Sequence, residues 1–580
     1  MKNSFFKKYI LPSLQGRGKG VGSLLFQPKL LQCLKTYNKQ KFTADLMAGI
    51  IVGIVALPLA IAFGIASGAT PEQGIITAIV AGFAISAFGG SRVQIGGPTG
   101  AFIIIISGII GQYGFEGLAI ATVLAGLFLI LLGVFKLGTI IRYIPYPIIV
   151  GFTSGIALTI FTTQIKDLFG LSIEGSIPAD FISKWGVYFE NFSTIDLATT
   201  IVGVLSVVII ACTPMISKKI PGSLIAIIVM TIAGVVMTNY FDIHVETIGD
   251  RFQINPKGLV ANVPVLSWEA IKGLISPALT IAILGAIESL LSATVADGII
   301  GHRHNSNQEL IGQGIANIIS PIFGGIPATG AIARTMTNIN NGGKTPLAGI
   351  IHAVVLLLIY FFLMPLASYI PMSCLAGVLV MVSYNMSGWR TIRQMLRNPK
   401  SDVIVLTLTF VLTVVFDLTI AIEVGIILAC FLCMRRMAET TQVSILTEEI
   451  DPNDESELNL LNIEHLTIPK EVEVYEIDGP YFFGVASKFE DMMARMKNKP
   501  KVRIIRMRKV PFIDSTGLHN LTNLVEQSHR GGITVILSGV NERVRQVLDH
   551  NNFPELVGKE NICPDINVAL NEAKKIVENK

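Results

Sequence analysis

Gly96-Gly97-Pro98-Thr99-Gly100-Ala101 and Gly324-Gly325-Ile326-Pro327-Ala328-Thr329-Gly330-Ala331 read as imperfect copies of one pattern: a glycine pair, a proline, then Thr-Gly-Ala. Apolar, strand-like residues precede each copy. The first leads into the apolar run Phe102–Ile110, the second into a mixed segment through Ile339. Proline suits the first turn of a helix, where its missing N–H costs nothing. The glycines allow an abrupt change of direction and a close approach to a ligand. The pattern therefore predicts two helices that start inside a hydrophobic region. The first amides of such helices carry partial positive charge and attract anions. Interrupted helices at matching places in two halves of a chain point to a transporter's central site, so the expectation is an anion site between two half-helices.

The whole chain supports a membrane setting. Of 580 residues 51% are hydrophobic and only 15% charged, with a mean hydropathy of +0.61; a soluble domain carries about 25% charged residues. The net charge of +4 is unevenly spread: residues 1–41 hold nine lysines and arginines and no acid. Such flanking charge puts the N-terminus on the cytoplasmic side. This segment has no compact apolar core followed by a small-residue cleavage site, so it does not read as a signal peptide. Glycines 16, 18, 20 and 22 match no nucleotide fingerprint and read as a flexible basic tail. Six cysteines, most of them in apolar runs, make no disulfide framework; Cys430 and Cys433, spaced like a metal pair, read as buried small hydrophobes.

From Leu46 to Met434 the chain is a series of apolar runs of near-spanning length. They fall near 45–67, 74–89, 98–112, 117–135, 139–165, 195–212 and 221–240, then near 273–296, 309–323, 328–340, 346–364, 371–385, 402–416 and 418–434. That is two sets of seven, with the half-helix third in each. An odd number per half inverts the second copy relative to the first. The polar stretch 241–268 reads as a loop outside the bilayer. The domain reading is a basic N-terminal segment (1–41), a transmembrane transport domain (42–436), a linker (437–465) and a small α/β domain (466–580). In the last, strands are expected at Val472–Ile477, Tyr481–Val485, Val502–Met507 and Ile533–Leu537, with helices at Thr516–Gln527 and Glu542–His550.

Glu288 is the only carboxylate inside the run Leu279–Val295, and an ionisable group at membrane depth is a functional candidate by default. In apolar surroundings a glutamate takes up a proton more readily. Ser292, one turn on, shares its face and can share a proton or ion with it. The alternative is a structural pair with Arg334 or Lys344. Arg334 stands one turn beyond the second helix start, where its guanidinium would suit an oxyanion; it could instead balance Glu288. Asp417 and Glu423 flank the last run, with Glu423 read as an interior structural partner. Gly342-Gly343-Lys344-Thr345 has a Walker-like ending, but Asn338 occupies the required glycine position, so a loop capped by Pro346 is the reading. His302, His304 and His352 lack a metal-ligating constellation. In the C-terminal domain Phe512-Ile513-Asp514-Ser515-Thr516-Gly517-Leu518 sits between a strand and a helix, where Asp514, Ser515 and Thr516 cap the helix and a phosphate would be stabilised.

Taken together, Asp45-Leu46-Met47-Ala48-Gly49, the Gly96–Ala101 turn, Glu288-Ser289, Gly324-Gly325-Ile326-Pro327, Ala333-Arg334-Thr335 and Gly342–Gly349 resemble the SulP family of anion transporters. Asp514-Ser515-Thr516-Gly517 resembles the motif of the STAS domains that follow the membrane domain in that family. The resemblance covers nearly the whole chain past residue 40 and implies a 14-segment, seven-plus-seven inverted-repeat fold, a core moving against a gate, and homodimers in the inner membrane with both termini cytoplasmic. It implies a small inorganic anion, sulfate or bicarbonate, held by Pro98, Thr99, Gly100 and Ala101 on one side and by Thr329, Gly330, Ala331 and Arg334 on the other. Glu288 and Ser292 match the coupling positions, for H+ or Na+. Sodium-coupled bicarbonate members have Asp and Thr there, so this chain departs from them and favours a proton. Ser515 and Thr516 match the regulatory hydroxyls, where a cytoplasmic protein would act. No enzyme activity, cofactor, metal or nucleic-acid partner is expected. The rival readings are a dicarboxylate or nucleobase carrier of the same fold, a membrane-anchored STAS regulator, and a passive channel.

Overall fold

The computed structural model describes residues 26–139, 145–175, 177–178, 180–216, 221–253, 261, 263, 268–416, 418–446, 449–450, 466–485 and 500–579. The N-terminal glycines, Asp417, the Glu423 side chain and most of the 437–465 segment lie outside these residues. The chain divides into two units, Met1–Ile426 and Ile427–Lys580.

The first unit is helical. After a short α1 (Lys29–Leu34) come α2 (Lys39–Ala66), α3 (Pro71–Phe88), α4 (Ile103–Val134), α5 (Tyr146–Phe169), α6 (Phe181–Glu190), α7 (Leu197–Ile216) and α8 (Gly222–Phe241). A short α9 (Ile248–Arg251) lies in the polar stretch read as loop. The second half has α10 (Trp268–Ile300), α11 (Ser306–Ile322), α12 (Ile332–Asn340), α13 (Leu347–Leu363), α14 (Met372–Met386), α15 (Trp389–Met395), α16 (Lys400–Val415) and the first part of α17 (Leu418–Thr440), the rest of which belongs to the second unit. All fourteen expected segments fall on helices, because α4 counts twice. Gly114 breaks it with φ 68° and ψ −174°, a conformation that glycine adopts without steric cost. Among the described residues eight helices are long and apolar enough to cross a membrane. At nine residues α12 spans only about 13 Å, less than half the hydrocarbon core.

Two packing groups emerge. One joins α2, α3, α4, α10, α11, α12 and α13; the other joins α5, α7, α8, α14 and α16. Small residues set the spacing of the first. A Cβ on Gly126 of α4 would stand 2.6 Å from the Gly314 carbonyl of α11, and one on Gly314 would stand 2.5 Å from that of Gly126. Two glycines are what allow these backbones to touch.

The half-helices are joined at their starts. Strand β1 (Gly96–Gly97) pairs antiparallel with β2 (Thr329–Gly330), Gly96 opposite Gly330 and Gly97 opposite Thr329. One expectation is corrected here. The prolines are not first-turn residues: Pro98 follows β1, Thr99 precedes a 3-10 turn at Gly100–Phe102, and α4 begins at Ile103. Pro327 lies before β2, and α12 begins only at Ile332. Each proline stands beside the short ladder, where a missing N–H forfeits no strand bond.

In the second unit a five-stranded sheet runs β3 (Gln442–Leu446), β6 (Val472–Asp478), β7 (Val502–Arg506), β8 (Thr534–Ser538), β9 (Ile562–Cys563), with β3 antiparallel and the rest parallel. A separate two-stranded ribbon pairs β4 (Glu449–Ile450) with β5 (Leu466–Thr467). Helices α18 (Ser515–Arg530), α19 (Glu542–His550) and α20 (Phe553–Val557) cover one face of the sheet through Leu521, Val525, Val544 and Leu548. On the other, α21 (Ile566–Asn579) packs Ile566, Ala569 and Ala573 on Val474, Ile504 and Ile536. Two corrections follow. Residues 442–446 are an edge strand, not linker. Tyr481–Val485 is not a strand, because only Tyr481 bridges to Ile513 before the chain turns helical. A third correction concerns Cys430 and Cys433, which are exposed on the surface of α17, not buried.

Candidate functional site

The two half-helix starts face α10. Glu288 on α10 accepts a hydrogen bond from the Thr99 hydroxyl at 2.8 Å, tying the carboxylate to the first start. Thr329 donates its hydroxyl to the Gly285 carbonyl at 2.8 Å, one turn before Glu288. The Ala331 amide is taken by the Ile95 carbonyl at 2.9 Å. Thus the hydroxyl of Thr329 and the amide of Ala331, both expected at the anion, are engaged in holding the ladder to its surroundings. Beyond them Ile332 and Ala333 are exposed at the first turn of α12, where leading amides have no intrahelical acceptor. Across the site, Gly100 is packed so closely that a Cβ would meet Ile160, Met386 and Phe63 at 3.2–3.4 Å.

Arg334 is 1% exposed. Its guanidinium donates to the carbonyls of Pro98 at 3.1 Å and Gly96 at 3.5 Å, and it crosses Gly97 so closely that a Cβ there would lie 1.9 Å from Nη1. Among the described residues it pairs with no carboxylate, and neither Arg334 nor Lys344 reaches Glu288. The cation is held by carbonyls of the opposite repeat, which leaves its charge uncompensated beside the first half-helix start. Lys344 and Thr345 serve another role: their amides donate to buried Asp45 at 2.7 and 3.1 Å, closing the Walker-like loop on α2. Ser292 does not meet Glu288; its hydroxyl lies 3.3 Å from that of Thr335, which in turn accepts from the Ile95 amide.

Glu309 was not singled out in the sequence, yet it is fully buried. It accepts from the amides of Gly90 (2.8 Å) and Ser91 (3.0 Å), the Ser289 hydroxyl (3.3 Å) and the Gln313 side chain (2.9 Å). Its carboxylate ties the exit of α3 to α10 and α11. The signal that would have found it is the spacing Glu309…Gln313 on one face of a mostly apolar helix. Gln94, another residue the sequence reading passed over, donates to the Ser289 hydroxyl at 2.9 Å. The site thus rests on a polar scaffold drawn from both repeats.

In the second unit Asp514 caps α18 by accepting from the Gly517 amide at 2.7 Å, and it also accepts from the Phe483 amide at 3.2 Å. Ser515 and Thr516 are exposed in the first turn. Asp514→Ala removes a cap worth about 1 kcal/mol, so hydrogen exchange in the first turn of α18, measured on the full chain, is expected to quicken about fivefold. An unchanged rate would deny the cap its role.

Two half-helices joined at their starts, a buried arginine lent across the repeats and a carboxylate at membrane depth define a multi-pass membrane transporter with an appended α/β domain. The comparisons identify the family. Residues 42–409 match the profile of the sulfate permease family and residues 465–569 that of the STAS domain. The chain is 41% identical over 535 residues to the putative sulfate transporter YvdB of Bacillus subtilis (91% of this chain, 97% of the relative). It is 30% identical over 553 residues to the bicarbonate transporter BicA of Synechocystis (94% and 96%). The structure of murine Slc26a9, an anion transporter, shares its fold with a TM-score of 0.84 at 18% identity, covering 99% of this chain and 98% of that one. The chain belongs to the sulfate permease family.

Proposed function

We propose that this protein is a secondary transporter of small inorganic oxyanions, sulfate or bicarbonate, working by alternating access and coupled to protons or sodium through Glu288. The observation that carries the reading is the Thr99–Glu288 hydrogen bond, which joins the site's carboxylate to the helix start facing the anion. An ionised Glu288 repels an anion at that start; a protonated or cation-bound one does not. Anion and cation therefore favour each other's binding, and by linkage the effect is reciprocal. Arg334 supplies the fixed positive charge. Movement is assigned to the α2–α4 and α10–α13 group as a body against the α5, α7, α8, α14 and α16 group. In the same reading the chain works as a homodimer in the inner membrane with cytoplasmic termini, and Ser515 and Thr516 are where phosphorylation or a cytoplasmic partner acts on it.

The test is uptake of radiolabelled sulfate and bicarbonate into proteoliposomes under imposed proton or sodium gradients. Wild type is expected to accumulate one of them. Glu288→Gln is expected to lose gradient-driven accumulation while retaining anion counterflow, because a neutral amide fixes the state that binds anion. Accumulation by the variant equal to wild type would overturn the coupling role, and no uptake of either anion by wild type would overturn the substrate class.

A further inference from the structure

We propose that α6 is an in-plane membrane anchor, a short helix that rests on the lipid surface through Ile182 and Phe189. The proposal needs only the membrane setting and stands apart from the choice of substrate. At ten residues α6 (Phe181–Glu190) is about 15 Å long, half the hydrocarbon core, so it does not cross a bilayer. Its start is capped locally, the Asp180 carboxylate accepting from the Ser183 amide at 2.8 Å. The segment that carries it is tied between two long helices. The Asp196 amide, at the head of α7, donates to the Phe169 carbonyl that ends α5 at 3.1 Å, and the Ser172 amide donates to the Thr194 hydroxyl at 3.1 Å. The end of α5 and the start of α7 are therefore level, and α6 lies beside that level.

Three environments meet around its circumference. Tyr188 is 2% exposed and forms a buried cluster with Ile165 of α5 and Leu171, against which Trp185 also packs. Successive helical residues turn by about 100°, so Trp185 stands about 60° round the axis from Tyr188, Phe189 about 100°, Ile182 about 120°, Glu190 about 200° and Ser183 about 220°. Ile182 is 70% exposed and Phe189 69%, side by side in one arc; Ser183 and Glu190 are exposed in the next. One side of α6 is thus buried in protein, one is exposed and apolar, and one is exposed and polar. A helix whose apolar and polar sides both run along its length has its axis in the boundary between lipid and water. Trp185 and Tyr188, at the edge of the apolar arc, are the residue types that gather at that boundary.

The lipid surface is the occupant because the exposed apolar residues continue into a helix that faces lipid. Phe192 follows α6, and Leu197, Ile201, Leu205 and Val208 form a stripe along α7, all of them exposed. Their spacing of four, four and three residues keeps the stripe on one face. Helix α7 is among those long and apolar enough to cross a membrane, and most of its apolar stretch is uncovered by the rest of the protein. A leaflet that meets this stripe also meets the end of the chain segment from which Ile182 and Phe189 project. Helix α6 packs on α5 and α16, both of the second packing group, so it is that group which the anchor holds at the membrane surface.

The experiment places a spin label on single cysteines, Ile182→Cys, Ser183→Cys, Phe189→Cys and Glu190→Cys, with Leu205→Cys as the lipid reference. The full chain carries Cys212→Ser, Cys430→Ser and Cys433→Ser to remove the exposed thiols, the other three being buried. It is reconstituted in vesicles of phosphatidylethanolamine and phosphatidylglycerol. All five labelled positions are exposed, so the substitutions leave the packing intact. Collision of each label is measured with oxygen, which concentrates among acyl chains, and with a neutral nickel(II) chelate, which stays in water. The oxygen-to-nickel ratio at Ile182→Cys and Phe189→Cys is expected to be at least about threefold that at Ser183→Cys and Glu190→Cys, and to approach that of Leu205→Cys. A smaller difference overturns the anchor. Labels at the first two positions that meet nickel freely place water there, and labels shielded from both reagents place a second copy or another protein there; either result overturns it too.

Discussion

Arg334→Met is expected to reduce anion uptake at least a hundredfold while leaving the protein as stable as wild type, or more so. The two halves of that expectation have one cause. Arg334 is 1% exposed and is held by the carbonyls of Gly96 and Pro98, with no carboxylate partner among the described residues. A buried cation without a counter-charge costs desolvation energy that two carbonyl contacts offset only in part. A methionine, shorter but unbranched and apolar, fills most of the space without that cost, and the freed carbonyls tolerate the loss better than amides would. In the proposed function a bound anion supplies the missing counter-charge. Unit charges 4 Å apart interact by roughly 4 kcal/mol at an effective dielectric constant of about 20, or close to three decades of affinity. Thermal unfolding of the purified variant beside its uptake rate checks both halves. A variant that unfolds early would make Arg334 a structural brace; one that transports normally would remove it from the site.

Glu309→Leu is expected to do the opposite: to prevent the membrane unit from folding, so that no monodisperse protein survives extraction. Four donors converge on this carboxylate, two of them the backbone amides of Gly90 and Ser91. Each buried donor left unmet costs roughly 1–3 kcal/mol. Even the low end, about 4 kcal/mol in all, is a large part of a domain's total of about 5–15 kcal/mol. Glu309→Gln leaves one oxygen for the four donors: with that oxygen on the Gly90 and Ser91 amides, its NH2 group faces the Ser289 hydroxyl and the Gln313 NH2 group. It is expected to yield folded protein that unfolds several degrees earlier. Size-exclusion profiles and melting curves of the two variants decide the matter; a well-folded Leu variant would show that the network is dispensable.

These residues also show how far the sequence could be read. Long apolar runs and the paired Gly-Pro-Thr-Gly-Ala turns were enough for the segment count, the break near Gly114 and the interrupted helices, because they follow from local composition. What joins distant residues was not legible. The Thr99–Glu288 bond links positions 189 apart, and nothing local distinguishes it from the pairing of Glu288 with Ser292, whose hydroxyl turns to Thr335 instead. Arg334 was open between substrate and Glu288, and its actual partners are backbone carbonyls, which leave no trace in side-chain patterns. The prolines misled for a related reason. Proline is equally at home at a helix start and beside a short strand, and the strand formed because its partner came from the other half of the chain.

That partnership bears on how the protein is made. Gly96 must wait for Gly330. At roughly 5–20 residues per second the second strand leaves the ribosome about 12–47 s after the first. For that interval the first repeat is in the membrane with the edge of β1 unmet and with no Arg334 to bridge its carbonyls. The nascent first half thus lacks both the strand partner of β1 and the arginine that bridges its carbonyls until the second turn arrives.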